Sequence, residues 1–459
     1  MATAALSSPA HAPVAPRARI GGLLRTLPLL LAMTYLGLVF LAFLLWPINW
    51  SIYHASEWVA LIAYVLLCYT VITLCYLAAT QRVGRPTRSF VGGTLIIVVG
   101  GLATVVLLFP LSRVYTGNWP WQVFEVATQQ GEAYRSLQEQ LQETAGQRGW
   151  LVILRAIFAP LTYAVLPLGI VLWGRLSWFQ RGCVIASVIA TTILSLMRGT
   201  DREFADIFII GGSALLVALG RFASDRAEFG AIVRRYWLPA VIGVLFLAVA
   251  SSLFTERKSA RLGGFENRGY VCANESRICA DLEAPLIRWL PLQQRFGISF
   301  FVLSSASGYY GLVLGMEKDF KTSFGIGHSP AALAVYQLVT GDDTIYRRTY
   351  TYRNGFDGWS DANYWSTLIL WLANDVGFVG AVFMLGLLGF ACGKFWIDAA
   401  IHRSEPATVL FTICMMMLFY LPANNQFFGT YDGYGVALVW MVLWLRDKGA
   451  RRTASLTAR

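Results

Sequence analysis

The sequence predicts an all-α polytopic membrane protein, and three observations carry that prediction. Of the 459 residues, 56% are hydrophobic and only 14% are charged, whereas soluble domains carry about 25% charged residues. The mean hydropathy of the chain is +0.55. Several apolar runs also reach the roughly 20 residues that a helix needs to cross a bilayer, without the short alternating strands typical of a membrane barrel.

We predict ten membrane-spanning helices, and the charges between them orient the chain. The predicted spans cover residues 26–46, 57–79, 90–111, 151–173, 182–197, 204–220, 237–254, 364–393, 407–422 and 432–446. Arg and Lys concentrate in every second link, which the positive-inside rule assigns to the cytoplasm together with both termini. This pattern accounts for the net charge of +11, so we expect no nucleic-acid partner.

One long outer loop separates two groups of predicted helices. The predicted order is a disordered cytoplasmic N-terminus (1–25), helices 1–7 (26–254), the large loop (255–362), helices 8–10 (363–446) and a cytoplasmic tail (447–459). Loops beyond about 15 residues are uncommon in compact proteins unless they serve a function. We therefore expect the working chemistry of the protein in this loop.

The outer segments carry three further predictions. Phe300–Met316 is apolar but interrupted by Ser and Gly, which predicts an interfacial or re-entrant helix. Segment 112–150 is predicted to be an amphipathic helix on the outer surface, as a solvated cap in preference to part of a substrate groove. Cys272 and Cys279 lie on the side where disulfides are permitted, and we predict that they are bonded.

Two arginines stand in a short outer link, where the positive-inside rule disfavours them. Arg198 and Arg202 occur between two spans, close to Asp201 and Glu203. Local ion pairing with these acids is one interpretation. The other is an anion site, because the arginine fork matches phosphate and keeps its charge. The loop adds four further candidate substrate contacts, which are Arg295, Arg347, Arg348 and Arg353.

His328 and Asp375 are the candidate groups for proton chemistry. His328 lies in a Gly-rich outer segment, where an imidazole serves as a general base, as a ligand of a phosphate oxygen, or in a structural role. Asp375 lies within a predicted span, which marks it as functional unless it only pairs with an arginine. Tyr309 and Tyr310 are interpreted as interfacial anchors or as residues that stack on a sugar.

Two stretches of the sequence resemble the Wzy-type polymerases of O-antigen and exopolysaccharide repeat units. They are GYYGLVLGMEKDF…TSFGIGHSP (Gly308–Pro330) and NYWSTLILWLANDVGFVGAVF (Asn363–Phe383). The resemblance implies a GT-C-like multi-helix bundle in the bacterial inner membrane, with the large loop in the periplasm. It also implies a glycosyltransferase that uses no metal or cofactor and polymerises oligosaccharide units carried on undecaprenyl pyrophosphate.

The same resemblance implies partners and residue roles. Arg198, Arg202 and Arg295 are expected to hold the pyrophosphate, and His328 to act as base or phosphate ligand. The tyrosine pair would shape the acceptor site, and Asp375 would orient an arginine. The expected partners are the lipid-linked donor and acceptor, the bilayer and a regulator of chain length.

Two alternative functions remain open at this point. An O-antigen ligase of the same superfamily would transfer the finished glycan to lipid A core or to protein, by the same class of reaction. A transporter or flippase for lipid-linked oligosaccharides would instead place charges along its spans and show inverted repeats. The charges of this chain gather in the outer loops, which favours the enzyme.

Overall fold

The structure, a computed structural model, describes residues 22–81, 92–128, 149–224, 269–273 and 276–457. Helices dominate it: α1 (Gly22–Leu45), α2 (Ala55–Gln81), α3 (Gly93–Thr116), α4 (Val123–Thr128), α5 (Gly149–Leu172), α6 (Trp178–Met197), α7 (Arg202–Ser224), α8 (Leu292–Ala306), α9 (Gly308–Met316), α10 (Pro330–Thr340), α11 (Thr344–Arg348), α12 (Tyr350–Arg353), α13 (Leu368–Ala400), α14 (Glu405–Tyr420) and α15 (Tyr431–Thr457). The predicted span 237–254, and most of the amphipathic segment 112–150, lie outside the described residues.

The chain is a polytopic α-helical membrane protein. Eight helical stretches of the described residues are long and apolar enough to cross a bilayer. Seven of them coincide with predicted spans, and these are α1, α2, α3, α5, α6, α7 and α13. The eighth, Leu292–Met316, joins α8 and α9 and was predicted to be too interrupted for a crossing.

The helical run Leu292–Met316 is more continuous than its Ser and Gly residues indicate. Only Ser307 separates α8 from α9, and its backbone dihedral angles remain those of a right-handed helix. Within its apolar window, 67% of the residues are buried inside the protein. This segment of the long loop therefore packs into the bundle.

Helix α14 lies within two residues of the span predicted for it, whereas α15 is longer than its predicted span. Helix α14 has 16 residues, about 24 Å of helix, which is shorter than the hydrocarbon core of roughly 30 Å. Most of its side chains are buried by other helices, so its length is not set by contact with lipid. Helix α15 continues to Thr457 instead of ending at residue 446, because the Ala, Arg, Lys and Leu residues beyond the apolar run favour helix.

Helix α13 packs closely against α2 through a row of glycines. A Cβ atom on Gly389 would lie 2.5 Å from the carbonyl oxygen of Ile72, and one on Gly393 would lie 2.7 Å from that of Tyr76. Small residues at such a spacing let two helix backbones approach within a membrane. This contact fixes α13, which carries the candidate site described below.

A two-stranded hairpin ties the long loop to the α1–α2 link. Strands β1 (Tyr270–Cys272) and β2 (Cys279–Asp281) pair antiparallel, and a disulfide joins Cys272 to Cys279. The backbone N–H of Asn49 donates to the Cys279 carbonyl at 3.0 Å. In the same region the indole of Trp46 donates to Ser299 Oγ at 2.9 Å. The hairpin and α8 therefore rest on the bundle.

Candidate functional site

A broken turn near the start of α13 forms the base of the candidate site. Gly377 has φ +69° and ψ 176°, which is not a helical conformation, although helix continues on both sides. The break exposes two carbonyl oxygens that the segment 322–328 then uses. Thr322 Oγ1 donates to the Asp375 carbonyl at 3.0 Å, and the Ser323 N–H donates to the Asn374 carbonyl at 3.2 Å.

The Asp375 carboxylate collects donors from the same glycine-rich segment. Its Oδ1 accepts from Ser323 Oγ at 2.7 Å, from Gly325 N at 3.0 Å and from Gly327 N at 2.8 Å. Its Oδ2 accepts from the backbone N–H of His328 and from the ring Nδ1 of the same residue, both at 2.9 Å. Three backbone N–H groups and one hydroxyl donate to this carboxylate, which matches its ionised form.

The bond to Asp375 fixes the tautomer of His328. An ionised carboxylate only accepts, so ring Nδ1 carries a proton and the neutral ring has its lone pair on Nε2. Nε2 lies 2.8 Å from the hydroxyl of Tyr434, at the start of α15. The His328 side chain is 25% exposed and the Asp375 side chain 7%. The result is a partly accessible base oriented by a buried acid.

Two asparagines hold the glycine-rich segment in this arrangement. Asn374 Nδ2 donates to the Gly327 carbonyl at 2.9 Å, and its Oδ1 accepts from the N–H of Tyr350 at 2.8 Å. On the opposite side, Asn425 Nδ2 donates to the His328 carbonyl at 2.5 Å. His328 is thus connected to α13, α12 and the α14–α15 link.

Arg202 reaches the link that also holds His328. Its Nη2 donates to the carbonyl of Gln426 at 3.3 Å, and its Nε lies 3.5 Å from an Asp206 carboxylate oxygen. The Tyr420 hydroxyl donates to the other oxygen of Asp206 at 2.9 Å. Because Asn425 and Gln426 are adjacent, Arg202 and His328 bind neighbouring residues of one link. The Arg202 side chain is 38% exposed.

Two more arginine–carboxylate pairs occur at the same end of the bundle. Arg198 Nη1 lies 2.6 Å from Glu203, which also accepts from the Thr200 hydroxyl at 2.8 Å. Arg155 Nη2 lies 2.7 Å from Asp432 in the first turn of α15. The local ion pairing considered for Arg198 is therefore observed. The side chains of Arg155, Arg198 and Arg202 remain 27%, 20% and 38% exposed.

The other candidate arginines are not brought to His328 by any bond that the structure shows. Arg295 donates to the carbonyls of Leu290, Leu282 and Arg288 and to the Glu283 carboxylate. Its guanidinium therefore holds the turn before α8 together. The remaining three have local partners, which are Asp343 for Arg347, Asp319 for Arg353 and the ring of Phe324 for Arg348.

The tyrosine pair lies inside the protein. Tyr309 is fully buried and its hydroxyl bonds to that of Tyr69, while Tyr310 is 9% exposed and packs edge-on against Trp359. Neither ring offers a surface on which a sugar could stack. Asp375 also differs from its expected role, because the bonds described above orient a histidine and not an arginine.

Several residues of this site did not stand out in the sequence. Tyr434, Asp432, Arg155 and Asp206 each lie within a predicted span or a few residues from its end. The available signal was the polar stretch YDGYG at the opening of the last span, where an acid and two tyrosines interrupt the apolar run. In the part of the chain that the structure describes, no group of three or more His, Cys, Asp and Glu side chains is arranged to hold a metal ion.

Comparisons of the chain with protein-family models, with curated proteins and with solved structures gave no match.

Proposed function

We propose that the protein is a glycosyltransferase that polymerises oligosaccharide repeat units carried on undecaprenyl pyrophosphate. The observation that carries this proposal is the oriented base His328, which is held by Asp375 and linked through residues 425–426 to Arg202. A base that is joined through residues 425–426 to a partly exposed arginine fits a transfer in which a hydroxyl attacks and an anion leaves. The similarity of Gly308–Pro330 to Wzy-type polymerases supports the same reaction.

The chemistry requires a proton acceptor and a stabiliser of negative charge. In the proposed reaction a sugar hydroxyl of one lipid-linked unit attacks the anomeric carbon of another, and pyrophosphate leaves. His328 accepts the proton through Nε2, and Asp375 stabilises the imidazolium that forms. Arg202 and Arg198 stabilise, as fixed cations, the charge that develops on the leaving group.

The proposed reaction takes place at the periplasmic face of the bacterial inner membrane. Support comes from the pattern of Arg and Lys in the sequence, which places the links carrying Arg202 and Asn425 on the outer side. The lipid-linked donor and acceptor reach this face with their pyrophosphate near the ends of the spans.

In the test, source cells produce a variant in place of the wild-type protein, and the length of their surface glycan is measured. We expect His328→Gln to reduce polymer at least about 100-fold, since general base catalysis contributes about 10²–10⁴-fold. Arg202→Gln is expected to shorten or abolish the polymer. Retention of single repeat units on their acceptor distinguishes a polymerase, whereas loss of all attached glycan indicates a ligase.

Two matched variants control for the loss of a His or an Arg. His54 has a side chain that is 77% exposed. Arg181 lies on the predicted cytoplasmic side, over the rings of Trp173 and Trp178. We expect His54→Gln and Arg181→Gln to leave the glycan ladder unchanged. A normal ladder from the His328→Gln protein, at wild-type abundance in the membrane, would refute the proposed catalytic role.

A further inference from the structure

The hydroxyl of Tyr434 is hydrogen-bonded to Nε2 of His328, the nitrogen that accepts the proton in the proposed function. Its hydroxyl lies 2.8 Å from Nε2, in the first turn of α15. The phenol ring packs at 5.2 Å, between ring centroids, from Phe428. Two residues earlier on the same helix, Asp432 pairs with Arg155 of α5 at 2.7 Å. The position of the phenol is therefore fixed by two neighbouring elements.

The direction of the bond between Tyr434 and His328 follows from Asp375. Because Asp375 accepts a hydrogen bond from Nδ1–H, the neutral ring has only a lone pair at Nε2, so the Tyr434 hydroxyl donates to it. The base is thus already bonded to a donor before any substrate arrives. A sugar hydroxyl can reach the base either by displacing Tyr434 or by passing its proton through the phenol.

We propose that Tyr434 is a catalytic residue that takes the proton of the acceptor hydroxyl and passes its own proton to His328. This inference rests on the proposed function, in which an acceptor sugar is deprotonated. The phenol oxygen retains lone pairs beside its donated hydrogen, so it accepts one hydrogen bond while it donates another. Tyr434 is partly exposed, in agreement with contact with a substrate.

The transfer conserves protons and electron pairs. The acceptor O–H bond breaks and its proton binds the Tyr434 oxygen, while the phenolic proton moves to His328 Nε2. The acceptor oxygen forms its bond to the anomeric carbon as the bond from that carbon to the pyrophosphate oxygen breaks. The leaving pyrophosphate takes the bonding electron pair. The imidazolium, stabilised by Asp375, afterwards releases its proton to water.

Displacement of the phenol is the less favourable route, for a geometric reason. The phenol of Tyr434 is in contact with the rings of Phe428 and His328 and with the Ser329 side chain. Moving this ring away would break the packing at the start of α15. Proton transfer along the existing bond needs only a change in hydrogen positions, which is fast compared with repacking.

The test measures transfer by the full-length purified chain in lipid nanodiscs. The substrate is undecaprenyl-pyrophosphate-linked oligosaccharide extracted from source cells that lack the chain. We expect Tyr434→Phe to lower kcat at least tenfold with the donor KM within about twofold, because the phenyl ring fills the same space but cannot transfer a proton. The solvent deuterium isotope effect on the transfer step should also fall, since one moving proton is lost.

The control is Tyr431→Phe, which removes a hydroxyl from the same helix turn and should keep wild-type kinetics. A Tyr434→Phe protein that is as fast as wild type, or faster, would refute the inference. The phenol would then only block access to Nε2 of His328. A slow Tyr434→Phe protein with an unchanged isotope effect would also refute it, in favour of a positioning role. An active His328→Gln protein would instead refute the proposed function itself.

Discussion

Helix α13 carries a buried aspartate near each end, and the two carboxylates have different surroundings. Asp375 and Asp398 are 7% and 2% exposed, and 23 residues of helix, roughly 35 Å, separate them. Asp375 binds a loop that ends in a partly exposed imidazole. Asp398 binds Lys394 of its own helix at 3.2 Å and the indole of Trp444 at 2.9 Å.

Burial of an acid in a span is therefore compatible with two different sets of partners. Both aspartates avoid an uncompensated charge, as the membrane requires. The hydrogen bond from Trp444 to Asp398 joins α15 to α13. The hydrogen bond between Asp375 and His328 instead fixes the tautomer of the imidazole, whose Nε2 lies next to the Tyr434 hydroxyl.

The largest expected effect comes from removing the charge of one aspartate at a time. We expect Asp375→Asn to lower glycan transfer about 100-fold or more, because an amide cannot stabilise the imidazolium of His328. Asp398→Asn should leave transfer within about threefold of wild type. It should lower the unfolding temperature, because a hydrogen bond to a charged group contributes about 1.5–3 kcal/mol.

The measurement for this pair is the transfer rate in nanodiscs together with the thermal unfolding of each variant in the same lipid. Activity lost equally in both variants, at equal unfolding temperatures, would remove the distinction between the two ends of α13.

A smaller effect is expected from the broken turn that sets Asp375 apart. Gly377→Ala should destabilise the protein by about 1–3 kcal/mol, because its backbone region is reserved for glycine. Crowding is not the cause, since a Cβ at this position would lie 3.6 Å from the Phe320 ring, an ordinary contact.

Thermal unfolding in detergent checks the effect, with Gly212→Ala of α7 as the control. Gly212 has open space around the position of a Cβ, so its alanine variant should be as stable as wild type or slightly more stable. Equal unfolding temperatures for the two alanine variants would show that alanine adopts the backbone conformation of residue 377 without strain.

The smallest expected effect concerns a third aspartate, in the loop just before α13. Burial raises the pKa of Asp361, although the hydroxyl of Tyr346 donates to its carboxylate at 2.8 Å and lowers the pKa in part. The folded protein therefore favours the protonated acid. The resulting stabilisation is present below the ordinary Asp pKa of about 3.9 and is lost as pH rises through the raised value.

We expect the unfolding temperature of wild type, relative to that of Asp361→Asn, to fall as pH rises through this window. Unfolding curves recorded at a series of mildly acidic pH values measure the difference. If the unfolding temperature of wild type, relative to that of Asp361→Asn, rose with pH instead, the folded protein would favour the charged carboxylate.

The predicted spans agree with the helices because hydropathy is a local property of the sequence. The runs that became α2, α5 and α6 could be located to within a few residues, since each is apolar over its own length. Helix α14 and its length of 16 residues could be predicted, but not its burial, because burial depends on which neighbours surround the helix.

The candidate site could be predicted only in part, because pairing between helices is not visible in a local pattern. His328 and Asp375 stood out through a Gly-rich segment and an acid in an apolar run, and the structure joins them. Their connection was not predicted, and neither was the contact with Tyr434. Arg295 had the residue type of an anion ligand, yet its neighbours in the fold are backbone carbonyls.

The long separation of the site's parts along the chain sets an order of assembly during synthesis. His328 leaves the ribosome 47 residues before Asp375 and 106 residues before Tyr434. The glycine-rich segment can therefore take its folded arrangement only after the broken turn of α13 has been synthesised, and the imidazole gains its second partner only when α15 follows. A nascent chain that stops before Tyr434 would contain most of the described helices without a complete site.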